Sequence, residues 1–137
     1  MSNKAKELVR DFYKSDILKD DTVLERFFHP EVELLWNSPS GLSILHFDEL
    51  KVFFNEIRRT YDDLRLEVSH LLADSEYVTI RYKYYVRTVE NPDEELGIAH
   101  FIAIWEVKDG KIIRGHQVSQ PVTDNDDTNK SYHRIKV

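Results

Sequence analysis

An α+β domain, with helices packed on one face of a bent antiparallel sheet, is predicted by three observations. Apolar residues recur at helical spacing in residues 5–13, 23–28 and 47–61, and they alternate with polar ones in residues 32–36 and along most of the chain after Asp62. The order is therefore helix, helix, strand, helix and then four strands joined by short turns, a segregation that marks the α+β class. The 137 residues are 41% hydrophobic, enough for one core and too few for two domains.

In the first helix Ala5, Leu8, Val9, Phe12 and Tyr13 share a face, with charges opposite. After Lys19-Asp20-Asp21, Thr22 and Glu25 have the spacing of a capping box, with Asp20 and Asp21 as alternative caps. Val23, Leu24, Phe27 and Phe28 then make a short apolar stripe, which His29-Pro30 ends because the residue before a proline is driven out of helical geometry. Val32, Leu34 and Trp36 alternate with Glu33, Leu35 and Asn37, as in a strand with one buried face. Ser38-Pro39-Ser40-Gly41 is a turn. The third helix places Leu50, Phe53, Phe54, Ile57 and Tyr61 on one side and Lys51, Glu56, Arg58 and Arg59 on the other. Four strands follow, at residues 64–72, 77–89, 99–107 and 111–122, rich in β-branched and aromatic residues. Ala73-Asp74-Ser75, the type I turn sequence Asn91-Pro92-Asp93 and Asp109-Gly110 separate them. Residues 123–129 carry almost nothing apolar, so 123–137 is expected to be a polar tail to a single domain of residues 1–122.

Composition excludes whole classes of chemistry. Without a cysteine there are no disulfides, thiol nucleophiles, iron–sulfur clusters or cysteine-based zinc sites. A net charge of −6, from 19 Lys and Arg against 25 Asp and Glu, argues against a nucleic-acid partner. The four glycines fall in no nucleotide-binding loop. No apolar run approaches the roughly 18 residues of a membrane span, and the first residues alternate charged with apolar, unlike a signal peptide. A cytoplasmic protein with no membrane partner and no cofactor is expected. His100 and His116 can approach across adjacent strands but have no third ligand at regular spacing, so no metal is expected either.

The passage Phe27-Phe28-His29-Pro30-Glu31-Val32-Glu33-Leu34, Gly41 ahead of the long helix, and the ending Trp105-Glu106-Val107-Lys108-Asp109-Gly110-Lys111-Ile112 come in a telling order. Together they resemble the nuclear transport factor 2-like superfamily, in its SnoaL-like and ketosteroid-isomerase-like branch, over residues 4–120. The resemblance implies a cone-shaped, curved antiparallel sheet with the three N-terminal-half helices on its concave face. It also implies an internal pocket and a homodimer, in a superfamily that holds isomerases, dehydratases, cyclases and non-catalytic binders. Such a fold does not select a reaction.

Strand parity nominates the pocket residues. A two-residue turn at Asp109-Gly110 would set Trp105 opposite Arg114. A three-residue loop from Lys108, with Gly110 in a left-handed bulge, sets Trp105 opposite Ile113 and Ala103 opposite Gly115, and is preferred. The expected ligand-binding set is then Leu34, Trp36, Tyr82, Tyr84, Phe101, Trp105, Gln117 and Ser119. Core filling accounts for part of this aromatic set, but the small residues Ala99, Ala103, Gly115 and Ser119 leave volume beside it. On the opposite parity Ile102, Ile104 and Val118, with Tyr85 and His116 at the edge, need a cover, which is expected to be a second copy of the chain.

Ketosteroid isomerisation in the family resembles a device of a carboxylate base on the first strand, a tyrosine on the first helix and an acid in the fourth strand. The matching positions here hold Trp36, Phe12 and Ala103, which can neither abstract a proton nor donate to an enolate, so that activity is not expected. Tyr13 lies about 100° round the helix from Phe12 and is no simple substitute. Gln117 has no titratable proton, and Ser119 has no activating partner in the sequence. The acid or base candidates are His70, on an otherwise apolar strand face, and Tyr82 and Tyr84. For His70, a core-edge histidine bonded to a backbone carbonyl is the plainer reading. The expectation is a binding protein for a small hydrophobic or aromatic, oxygen-bearing molecule. The alternatives are a lyase or isomerase using His70 or a pocket tyrosine, and a protein-interaction module.

Overall fold

The computed structural model describes residues 3–122, so the expected tail at 123–137 lies outside the described residues. The elements in chain order are α1 (Lys4–Lys14), α2 (Val23–Phe27), β1 (Phe28–Ser38), β2 (Gly41–His46), α3 (Phe47–Thr60), β3 (Tyr61–Asp74), β4 (Tyr77–Thr88), β5 (Leu96–Lys108) and β6 (Lys111–Pro121). Among the described residues the strands form one six-stranded sheet, ordered β2-β1-β6-β5-β4-β3. The helices cover one face of it, and the predicted α+β class holds. No helix among the described residues is long and apolar enough to cross a membrane.

Two features of the sheet differ from expectation. β1 pairs with β6 in parallel, while the other four pairs are antiparallel, so the sheet is mixed. No hairpin joins β1 to β6, and only a tight turn forces neighbours to run in opposite directions. The second difference is β2, a strand where the sequence suggested only a connection. It folds back on β1 from Ser38↔Gly41 to Glu33↔His46, with Gly41 at φ +106, a conformation glycine adopts without penalty.

Local chemistry sets the helix ends. In α1 the Asn3 side chain accepts from the Lys6 backbone N–H at 3.0 Å, and Ala5, Val9 and Phe12 are buried. The expected Thr22 capping box does not form, because the Thr22 hydroxyl donates to the Asp20 carboxylate at 2.6 Å. A capping box stands instead on α3, where Glu49 accepts from the His46 backbone N–H at 2.9 Å.

The last hairpin has the two-residue turn in place of the preferred three-residue loop, followed by a bulge. Asp109 and Gly110, at φ 55 and φ 73, make a two-residue turn that pairs Lys108 with Lys111. A bulge after Val107↔Ile112 then skips Ile113, so Glu106 pairs with Arg114, Trp105 with Gly115 and Ala103 with Gln117. The expected partners Ile113 and Gly115 are each corrected by two residues, and Ile112, fully buried, takes the core place assigned to Ile113. A shift of two preserves parity, so Gly115, Gln117 and Ser119 still face the helices. The core joins Val9, Phe12, Leu24, Leu50 and Phe54 from the helices to Phe28, Val78, Ile80 and Trp105 from the sheet.

Candidate functional site

Pairing sets the inner face out in rows across the strands. Val68, Tyr82, Phe101 and Ser119 stand abreast, next to Leu71, Ile80, Ala103, Gln117 and Trp36. Between these rows and the helices lies a cavity of about 440 Å³. Its wall includes Leu34, Trp36, Tyr82, Tyr84, Phe101, Trp105, Gln117 and Ser119, the full set that parity nominated. The helices add Phe12, Tyr13, Phe53 and Ile57. The exposed Pro39, Ser40 and Pro121 line one end, where the cavity meets solvent.

Gly115 is a seat for an aromatic ring. A Cβ there would stand 2.3 Å from the Trp105 ring and 3.0 Å from Leu34. The expected strip of small residues therefore leaves space only in part: Ala99 and Ser119 line the cavity, whereas Gly115 and the buried Ala103 do not.

A chain of hydrogen bonds crosses the wall. The Trp105 indole N–H donates to the Tyr13 hydroxyl at 2.9 Å, Tyr13 donates to Tyr82 at 3.2 Å, and Tyr82 donates to Gln117 Oε1 at 3.1 Å. The Trp36 indole N–H donates to Ser119 Oγ at 2.8 Å. Tyr13 was set aside for its angle from Phe12, yet the cavity floor is wide enough for both, with ring centroids 4.9 Å apart. The signal that could have found it was its place in the apolar stripe of α1.

Burial pushes the Tyr13 and Tyr84 phenols well above the ordinary tyrosine range, and for Tyr13 the neighbouring Tyr84 adds to the effect. Both are neutral hydrogen-bond donors at pH 7. Among the described residues, the Tyr84 hydroxyl, the Gln117 side-chain N–H groups and the Ser119 O–H have no protein acceptor. Among the described residues no carboxylate, imidazole, ammonium or guanidinium lines this cavity. The arrangement can hold an oxygen atom by donated hydrogen bonds, and it offers no group of ordinary basicity to take a proton.

The remaining nominated residues lie elsewhere. A bulge at Ser69 separates Val68↔Tyr82 from His70↔Arg81 and turns His70 to the outer face, in a row with Arg81, Ile102 and Val118. The His70 imidazole lies 3.0 Å from Ser69 Oγ and does not reach the cavity, which corrects its placement on an apolar inner strand face. Ile102, Ile104 and Val118 are 42 to 50% exposed on that outer face, with His116 exposed among them. Tyr85 also faces outward, its ring between Arg65 and Lys83 and its hydroxyl donating to Glu67 at 3.0 Å. His100 lies 3.4 Å from Gln120. Among the described residues no three His, Asp or Glu side chains are grouped to hold a metal ion. Phe12 and Trp36 line the cavity and Ala103 is buried beneath it, so none brings a carboxylate or hydroxyl to it.

The SnoaL-like domain family matches residues 9–115, most of the chain. The chain belongs to the SnoaL-like family. No curated protein matches this SnoaL-like chain in sequence. Its fold is similar to an NTF2-like protein of unknown function from Burkholderia pseudomallei, at 17% identity over all of both chains and a TM-score of 0.64. It is also similar to a putative polyketide cyclase from Acidithiobacillus ferrooxidans, at 13% identity over 99% of each chain and a TM-score of 0.69. An LEH-like epoxide hydrolase from M. tuberculosis is similar at 14% identity, over 96% of this chain and 91% of that one, with a TM-score of 0.67. At these identities the likeness is one of fold.

Proposed function

We propose that this SnoaL-like domain binds, in its internal cavity, a small apolar or aromatic molecule bearing one or two oxygen atoms. The observation that carries the reading is the composition of the wall among the described residues: aromatic and aliphatic almost throughout, with the unpartnered donors of Tyr84, Gln117 and Ser119 and no charged group. A volume of about 440 Å³ lies within the roughly 300–1,000 Å³ of small-molecule sites. The donors suit a carbonyl, quinone or ether oxygen. A carboxylate would lose its hydration there without gaining a cation. In a thermal-shift screen, neutral aromatic ketones should raise Tm and the matched carboxylates should not. Equal shifts from both, or from neither, would reject the reading.

A second reading, a lyase or isomerase of the SnoaL-like class, is supported by the free donors of Tyr84, Gln117 and Ser119, with Gln117 held in place by the chain from Trp105 through Tyr13 and Tyr82 to its Oε1. Preorganised neutral donors of this kind stabilise negative charge developing on a substrate oxygen. The base must then come from substrate or water. Proton exchange at carbon beside the carbonyl of a bound ketone, followed by NMR in D2O, separates the two readings. Exchange accelerated by the protein and lost in Tyr84→Phe favours the enzyme, and its absence favours the binder.

For the outer face we propose a homodimer, in place of the protein-interaction alternative. Ile102, Ile104 and Val118 are joined there by Leu42 and Ile44 of β2, 57% and 48% exposed, in one apolar area across four strands. Light scattering should give the dimer mass at micromolar concentration. A monomer mass there would exclude it.

A further inference from the structure

A second depression, of about 750 Å³, lies between α1 and β3, behind the wall of the internal cavity. Its rim carries Lys6, Arg10 and Lys14, spaced four apart and therefore stacked along one side of α1. Among the described residues none of the three forms an ion pair or a side-chain hydrogen bond. Like charges at this spacing repel, and although Glu7 and Asp11 share the helix, neither is paired with any of the three.

The acids of the same depression are occupied. Asp16 accepts from the backbone N–H groups of Leu18 and Lys19 at 3.2 and 3.3 Å, and Asp63 lies 4.0 Å from Arg87. Arg65 is held by both oxygens of Glu95. Below the three cations, Leu66, Val68 and Leu71 are only half-buried, on the part of the inner sheet face that α1 leaves bare. The groove thus has an apolar floor and a rim on which, among the described residues, Lys6, Arg10 and Lys14 outnumber the carboxylates of Asp16 and Asp63.

We propose that the groove between α1 and β3 is a binding site for a free single-chain amphiphile with an anionic head, its chain on Leu66, Val68 and Leu71 and its head at Arg10 and Lys14. A rim of cations offsets the desolvation of a carboxylate, which the internal cavity cannot do. The volume fits a molecule of this size. The groove shares Phe12, Tyr13, Ile17, Leu64 and Tyr84 with the internal cavity as a common wall, while its apolar floor of Leu66, Val68 and Leu71 belongs to the groove alone.

The test is a titration with decanoate, below its micelle concentration, read by methyl NMR. Leu66, Val68 and Leu71 line the groove alone, and Leu34 and Leu50 line the internal cavity alone. The expected result is saturable shifts at the first group, with Kd at least tenfold weaker for 1-decanol and in the double variant Arg10→Gln/Lys14→Gln, whose thermal stability should be unreduced. Raising salt should weaken decanoate binding. Shifts confined to Leu34 and Leu50, equal Kd for decanol or in the variant, or no binding would each overturn the proposal. So would binding to phosphatidylglycerol vesicles through these cations with none to decanoate, which would make the rim a membrane contact.

Discussion

Along β4 and β5, Val78, Ile80, Ala103 and Trp105 face the helices and are 3% exposed or less, whereas Ile102 and Ile104, one residue away on the same strand, are 42% and 45% exposed. Both sets alternate with period two and are equally apolar. What separates them is cover: three helices lie on one face, and nothing among the described residues lies on the other. Hydrophobic stabilisation follows area removed from water, so the inner set holds the monomer together and the outer set contributes only if a second copy covers it.

The largest expected effect tests this directly. Ile80→Ala empties a site that is 1% exposed and should destabilise by roughly 2–5 kcal/mol. Ile102→Ala should cost much less in dilute protein, under about 1 kcal/mol. Urea unfolding at several protein concentrations reads both. If Ile102→Ala is as damaging as Ile80→Ala, and more so as concentration rises, the outer face is covered and the contrast between the faces belongs to the monomer alone.

The same alternation made the inner face legible in the sequence, and its interruptions limited the reading. Phe101, Trp105, Gln117 and Ser119 were placed correctly because the two-residue turn and the bulge at Ile113 each move the register by one, and the two together preserve the face. His70 was misplaced because the bulge at Ser69 adds one residue, and a single residue exchanges inside for outside. Neither bulge has a glycine or proline to announce it. β2 was missed because Leu42, Ser43 and Ile44 alternate for too short a stretch, on an edge where the alternation is not read against burial. The parallel pairing of β1 with β6 links residues some eighty positions apart, and no local pattern encodes it.

The next effect is a dependence on pH that belongs to the inner face. Tyr13 and Tyr84 are held protonated by burial, whereas in the unfolded chain a tyrosine releases its proton near pH 10. Above that pH the unfolded state binds fewer protons than the folded one, so stability falls as pH rises. Below it, the contribution of both groups is fully present. The slope should approach about 1.4 kcal/mol per pH unit for each tyrosine, roughly twice that for the pair. Urea midpoints at pH 9, 10 and 11 should fall, and the fall should be shallower in Tyr84→Phe. An unchanged slope in that variant would place Tyr84 in contact with bulk water.

Gly115→Ala should follow, at roughly 1–3 kcal/mol, because its methyl group would enter the Trp105 ring at 2.3 Å. Displacing that indole stretches its bond to Tyr13, so Trp emission should change along with stability. A neutral Gly115→Ala would mean that Trp105 has room to retreat, and the cavity would then be less rigid than its hydrogen-bonded wall suggests.

The smallest effect separates the two parts Ser119 plays. Its oxygen accepts from the Trp36 indole at 2.8 Å, and its own O–H is left for a ligand. Ser119→Ala removes both, and because Trp36 is only half-buried its N–H can turn partly to water, so stability should drop by about 0.5–1.5 kcal/mol. Ser119→Cys keeps a weak donor and acceptor of similar size and should recover part of that loss. If ketone binding falls in Ser119→Ala by more than its loss of stability explains, and returns in part in Ser119→Cys, the hydroxyl touches the ligand. If binding is unchanged, Ser119 only anchors Trp36, and the oxygen of the ligand rests on Tyr84 and Gln117.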